Sequence, residues 1–206
     1  MRSYNFVKQY CKSDSPRIVL SASFLYILAG AILLVPIYWV AAWLLALAIH
    51  EFCHYVALKL CGASVSCICL GGNGIVMETQ QLSYGKEAIC AYAGPLGALL
   101  ILLFARYVPR TSICTIVLSA YNLLPILPLD GGRGLGCALK ARLPENAALR
   151  IMRHIENAVL ALIAMLMCYA VWKLDLGILP ALVTIILLCR SKRIKFPCKK
   201  CRLGLQ

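Results

Sequence analysis

Apolar residues fall in long, nearly uninterrupted runs instead of the three-to-four spacing of a half-buried helix. Six such runs can be drawn, at about 18–35, 37–60, 88–105, 112–129, 151–172 and 176–189. A bilayer-spanning helix needs about 20 apolar residues, so the third and fourth runs are short and the last is marginal. The pattern predicts an all-α polytopic membrane protein of about six transmembrane helices. Between the second and third runs the period changes. Ser64 to Leu70 alternates small polar and apolar residues, and Ile75 to Met77 comes after Gly71, Gly72, Asn73 and Gly74. Period-two alternation around a glycine-rich turn predicts a small β-hairpin.

Composition agrees with the pattern. The chain is 62% hydrophobic with a mean hydropathy of +0.82, well above the ~45–50% apolar share of a soluble domain. With most of its 206 residues in apolar runs, it is read as one membrane domain, 1–206. The first run is longer than the ~7–15 apolar residues of a signal peptide and lacks a small-x-small site after it, so it is expected to stay as a helix.

Charge sets the expected orientation. With the N-terminus cytoplasmic, 18 of the 21 basic residues fall inside, including the seven from Arg190 to Arg202 in a basic tail, 190–206. Only Arg106, Arg110 and Lys173 fall outside. That bias predicts a multi-pass protein of the cell membrane with both termini cytoplasmic. The net charge of +13 then reads as an anchor to anionic lipid and calls for no nucleic-acid partner. None of the 12 cysteines lies in an outside loop, so reduced thiols are expected. Cys198 and Cys201 form a lone Cys-x-x-Cys that lacks two ligands for a structural zinc.

Candidate chemistry sits inside the second run. His50-Glu51-Phe52-Cys53-His54 has two of the chain's three histidines four residues apart. On a helix, positions i and i+4 share a face, so two imidazoles can aim at one Zn²⁺. Glu51 is placed to act as general base toward a water at that ion. The bland reading is a pair of core histidines bonded to neighbouring helices; an ionisable residue in lipid is costly and favours the functional one. A catalytic zinc usually takes three protein ligands. The best third candidate is Asp130, in the run from Asn122 through Pro125 and Pro128 to Gly131 and Gly132. Two prolines and a glycine pair would unwind the end of the fourth span. The alternative is a plain exit turn, with Asp130 capping the next segment. On the expected topology the second and fourth spans both run inward, and His54 lies about six residues, or roughly 9 Å, from the cytoplasmic end. His50, His54 and Asp130 are therefore expected at similar depth. His154 and Glu156, at the start of the fifth run, read as interfacial residues.

With these residues in place the chain resembles the site-2 proteases, a family of zinc intramembrane metalloproteases. It is most similar to their compact branch, typified by the sporulation pro-sigma-factor processing protease. His50 to His54 match the HExxH motif. Asn122, Pro125, Pro128, Asp130, Gly131 and Gly132 match N-x-x-P-x-x-P-L-D-G-G, and Ala93-Gly94-Pro95-Leu96-Gly97 resembles the intervening Gly-Pro motif. The resemblance covers about 37–135. It implies a three-helix catalytic core there, His50, His54 and Asp130 as zinc ligands, and Glu51 as general base. Two departures stand out: Cys53 where many members have Gly, and Gly97 where many have Asn.

The expected activity is zinc-dependent hydrolysis of a peptide bond in a membrane-associated protein near the cytoplasmic face, as in regulated intramembrane proteolysis. A sigma-factor precursor or a signalling anchor would be the substrate. The lipid bilayer is the other partner, and homo-oligomerisation stays open. The hairpin would either hold an extended substrate by its edge or seal the bundle at the interface. A catalytically inactive zinc-binding homologue is the competing reading, although Glu51 would serve no purpose in it. A metal transporter is disfavoured by the lack of further intramembrane carboxylates and histidines along a path.

Overall fold

The structure is a computed structural model that describes residues 17–71, 74–80 and 82–174. The expected sixth span, the basic tail, Cys198 and Cys201 lie outside the described residues. The chain forms two compact units, Met1–Tyr121 and Asn122–Gln206.

The first element among the described residues is a strand. Arg17–Leu20 (β1) holds two β-branched residues and pairs in parallel with Cys67–Leu70, a preference of residues that pack well on a pleated surface. The stretch expected to open the first span is thus partly strand. Helix α1, Ala22–Leu34, comes next; its 13 residues reach only about 20 Å, short of the ~30 Å hydrocarbon core. None of its residues is buried.

Helix α2, Ile37–Leu60, carries HExxH and is long and apolar enough to cross a membrane. Its buried residues Ala42, Ala46 and His50 recur every four positions, forming one stripe along the helix. It stops at a Schellman turn: Ala63 N–H donates to Leu58 O (2.9 Å) and Gly62 N–H to Lys59 O (3.0 Å). Gly62 has φ +80°, which side chains with a Cβ rarely adopt. Lys86 Nζ donates to Cys61 O at 3.1 Å, placing a cation at the negative end of the helix.

Val65–Gly71 (β2) and Gly74–Thr79 (β3) are antiparallel, with a register irregularity between Val65 and Cys67. The three-stranded sheet has the order β1-β2-β3, so β3 is an edge strand.

Helix α3, Tyr84–Ala98, packs against α2. Pro95 lies inside it, buried, and removes one helical N–H. The helix continues as a 3₁₀ turn over Leu99–Phe104, so Tyr84–Phe104 together is the second membrane-crossing candidate. Helix α4, Pro109–Asn122, has 14 residues, about 21 Å. The fourth span expected at 112–129 therefore ends at Asn122, ahead of Pro125 and Pro128. The buried face of α4 is small and polar, with Thr111, Ser112, Cys114, Thr115 and Ser119. Such residues let helices approach closely in lipid. Their hydroxyls are largely spent locally, Thr115 Oγ1 donating to Thr111 O (2.8 Å) and Ser112 Oγ to Val108 O (3.1 Å). Cys114 packs with Ala42 and Ala46 of α2.

In the second unit, residues 123–129 make tight turns, with Ile126 N–H on Leu124 O (2.8 Å) and Leu129 N–H on Ile126 O (2.9 Å). Helix α5, Asp130–Arg142, comes next. The sequence reading places no helix here, because each of its glycines costs about 1 kcal/mol in a helix interior. Packing overrides that cost, and Gly131, Gly132, Gly134 and Gly136 are all buried. A Cβ on Gly131 would collide with the Leu123 carbonyl. Helix α6, Glu145–Leu174, starts directly after Pro144, earlier than the run at 151–172 suggests, and contains the third membrane-crossing candidate. Ala148, Met152 and Leu160 form its buried stripe.

Outside these seams large apolar side chains face outward, among them Leu33 (84% exposed), Leu34 (86%) and Leu103 (80%). For water that surface would be unfavourable; for lipid tails it is the expected one. Gly62→Ala should destabilise the protein by about 1 kcal/mol through the left-handed backbone penalty. Gly62→Asn should retain most of the stability, as read by denaturant unfolding in mixed micelles.

Candidate metal centre

In the first unit, α2 brings His50 and His54 onto one face, as the four-residue spacing requires. Their Nε2 atoms are 3.2 Å apart, and the rings are nearly perpendicular, at 79°. Two nitrogens each about 2.0–2.1 Å from a tetrahedral zinc stand about 3.3–3.4 Å apart. The pair therefore has the spacing of two ligands of one ion. The same spacing also suits an N–H···N hydrogen bond with His50 as donor. His50 is almost fully buried, at 2% exposure.

The orientation of His54 is set from α3. Its Nδ1–H donates to the Cys90 carbonyl at 2.8 Å, which assigns the tautomer and leaves Nε2 with its lone pair directed at the shared position. Gly94 lies one turn beyond Cys90, and a Cβ there would overlap the His54 imidazole. Ala91 and Pro95, on either side, are buried as well. The Gly-Pro sequence thus makes room for the His54 ring, and the Pro cannot donate the N–H that a regular helix would use.

The two departures from the motif, Cys53 and Gly97, face each other across the α2–α3 seam. A Cβ on Gly97 would stand 2.9 Å from Cys53 Sγ. Where many members place Gly on α2 and Asn on α3, this chain places Cys on α2 and Gly on α3.

Asp130 stands in the second unit, in the first turn of α5, where the positive end of the helix favours a carboxylate. Its place is set by the turns through Pro125 and Pro128 and by Gly131, whose missing side chain lets the helix start against the Leu123 carbonyl. Glu51 is half-buried on α2 beside His50. His154 lies exposed on α6, and Glu156 is half-buried two residues on.

Sequence reasoning singles out Arg110 and Asn122 at the two ends of α4 but not Ser119 between them. Yet Ser119 is 1% exposed, and its Oγ has no hydrogen-bond partner among the described residues. Near the start of α4, Arg110 meets Tyr38 of α2, and Cys114 meets Ala42 and Ala46. Ser119 lies one turn beyond Thr115 on the same buried face of α4. Its only sequence signal is the Thr111, Thr115, Ser119 spacing of small hydroxyl residues within an apolar run.

No protein-family model matches the chain, and no curated protein matches it by sequence. Among solved structures it is similar to the site-2 protease from Methanocaldococcus jannaschii, with a TM-score of 0.58 at 19% identity, covering 90% of this chain and 95% of that one. The chain therefore has that fold, consistent with the motif resemblance.

Two substitutions test the geometry. Gly94→Ala should displace the His54 ring and weaken metal binding by about 10–100-fold, the range for disturbing a ligand's supporting contacts; metal titration of the purified protein reads it. Gly97→Asn should destabilise the protein on its own, and Cys53→Gly in the same chain should restore most of the loss. An additive double mutant would show that the two positions are independent.

Proposed function

We propose that the chain is a zinc-dependent endopeptidase of the membrane, cleaving a membrane-associated protein close to the cytoplasmic face. The observation that carries this reading is the His50–His54 pair, with Nε2 atoms 3.2 Å apart and Glu51 beside it, on a helix fit to cross a bilayer. The likeness of fold to a site-2 protease supports it. So does the chemistry of the donors, since the motif resemblance implies His50, His54 and Asp130 as the ligands. Two imidazoles and one carboxylate suit zinc, and three protein ligands leave a position for water.

When bound, a zinc ion would polarise the scissile carbonyl and acidify a water beside it. The protein residues do the rest. Glu51 takes the proton of the attacking water and returns it to the leaving amine. Cys90, through its carbonyl, holds His54 in the required tautomer. The sheet offers β3 as an edge strand, on which a substrate segment can lie extended with its carbonyls accessible, as a helical segment would not allow. Helical burial of the pair in α2 limits the water that reaches it. On the expected orientation both termini are cytoplasmic, and the substrate is a sigma-factor precursor or a signalling anchor.

The test is reconstitution in lipid with a candidate substrate, with zinc content measured alongside cleavage. Glu51→Gln should keep its zinc and lose about 10²–10⁴-fold in rate, the range for a general base. Asp130→Ala should lose zinc affinity as well. Cleavage by Glu51→Gln at the wild-type rate would overturn the mechanism, and zinc held at full affinity by Asp130→Ala would remove it from the ligand set.

A further inference from the structure

The first unit carries a groove at the end of α2 remote from the histidines. It has a volume of about 330 Å³ and lies between the start of α2 and the start of α4. Small ligand sites span about 300–1,000 Å³, so it is sized for one small group or chain and not for a peptide helix. Its floor is apolar: Ala41, Ala42 and Leu45. Its mouth is polar and aromatic, with Tyr38, Tyr107 and Arg110. The Arg110 guanidinium sits 4.6 Å from the centroid of the Tyr38 ring, which fixes its position by a cation–π contact.

Three facts point to one kind of occupant. Arg110 is one of only three basic residues on the face from which the rest are withheld, so its placement there needs a reason. No Asp or Glu occurs between Asp14 and Glu51 or between Glu87 and Asp130, so neither wall of the groove offers a carboxylate to the guanidinium. Finally, Tyr38 (50% exposed) and Tyr107 (82%) mark the level of the membrane–water interface, where aromatic belts form. From Tyr38 to Leu45 is seven residues, so the floor descends about 10 Å below that level. An anion at the interface joined to an apolar chain that runs inward is the shape of a phospholipid.

We propose that this groove binds one anionic phospholipid, its phosphate group on Arg110 and the upper part of one acyl chain over Ala41, Ala42 and Leu45. The inference rests on α2 spanning the membrane, and not on any catalytic step. Arginine suits the role because its planar fork meets two phosphate oxygens at once. A lipid so placed touches both α2 and α4, and holds together the two helices at the end where neither contributes to the metal centre.

The test uses the full-length protein in detergent, with phosphatidylglycerol or phosphatidylcholine added, bound lipid counted by native mass spectrometry and unfolding temperature measured alongside. Phosphatidylglycerol should bind one-to-one and raise the unfolding temperature more than phosphatidylcholine does. Arg110→Gln should weaken its binding about tenfold, the worth of a charge-assisted hydrogen bond, while zinc content stays at the wild-type level. Arg106→Gln removes the same charge four residues earlier, in the connection before α4 and outside the groove, and should change nothing. Ala41→Trp fills the floor and should also abolish binding, which keeps the test alive if Arg110→Gln fails to fold. Glycerol phosphate, a headgroup without a chain, should not substitute. Equal binding of both lipids, equal loss in Arg106→Gln, full effect of glycerol phosphate, or binding undiminished in Ala41→Trp would each overturn the proposal. Loss of lipid binding with zinc retained, or the reverse, separates this inference from the proteolytic reading.

Discussion

The site depends on how closely α3 approaches α2. One imidazole, that of His54, occupies the space where Gly94 would carry a side chain, and its Nδ1 is held by a carbonyl one turn earlier. Without that approach His54 would be a solvated or lipid-exposed ring with a free choice of tautomer, and its Nε2 would not face His50. The glycine, the proline after it and the Cys53–Gly97 contact are all consequences of the same short interhelical distance. In lipid there is no hydrophobic force to press helices together, so contact has to be obtained by shape and by polar groups at the seam. Small residues supply the shape here, and a histidine supplies the polar contact.

The second seam of the first unit obeys the same rule with different residues. Ala42 and Ala46 of α2 meet Cys114 of α4, whose buried face is lined by threonines and serines. Two of these hydroxyls donate back to their own helix, which keeps them satisfied without a partner across the seam. Ser119 departs from that pattern, its Oγ having no partner among the described residues. A buried hydroxyl without a partner is worth about 1–3 kcal/mol of lost hydrogen bonding, and membrane interiors offer no water to relieve it. The two seams together fix α2 on both sides, and it is α2 that carries HExxH.

Much of the site is legible in the sequence because its chemistry is compressed into local patterns. The i, i+4 histidines, Glu51 between them, and the Pro, Asp and Gly run after Asn122 are readable from spacing alone. Element boundaries are less so. The 112–129 run looks like one span because Leu123 to Leu129 is apolar, yet Pro125 and Pro128 end the helix at Asn122. Asp130–Arg142 is hidden for the opposite reason, four glycines masking a helix that close packing stabilises. Arg17–Leu20 reads as the start of an apolar run, and only its partner at Cys67–Leu70 makes it a strand.

Sequence by itself pointed to a bilayer, since its apolar residues fall in long unbroken runs with few charges instead of the spaced pattern of half-buried helices. It also determined that two imidazoles share a helix face, because helix geometry admits no other outcome for that spacing. Tertiary structure decided what non-local contact alone can decide: which carbonyl holds His54, why position 94 must lack a side chain, and that Cys53 and Gly97 meet across the α2–α3 seam. Residues 36 or more positions apart make those contacts. Their distances are set by the packing of whole helices and not by any pattern within one.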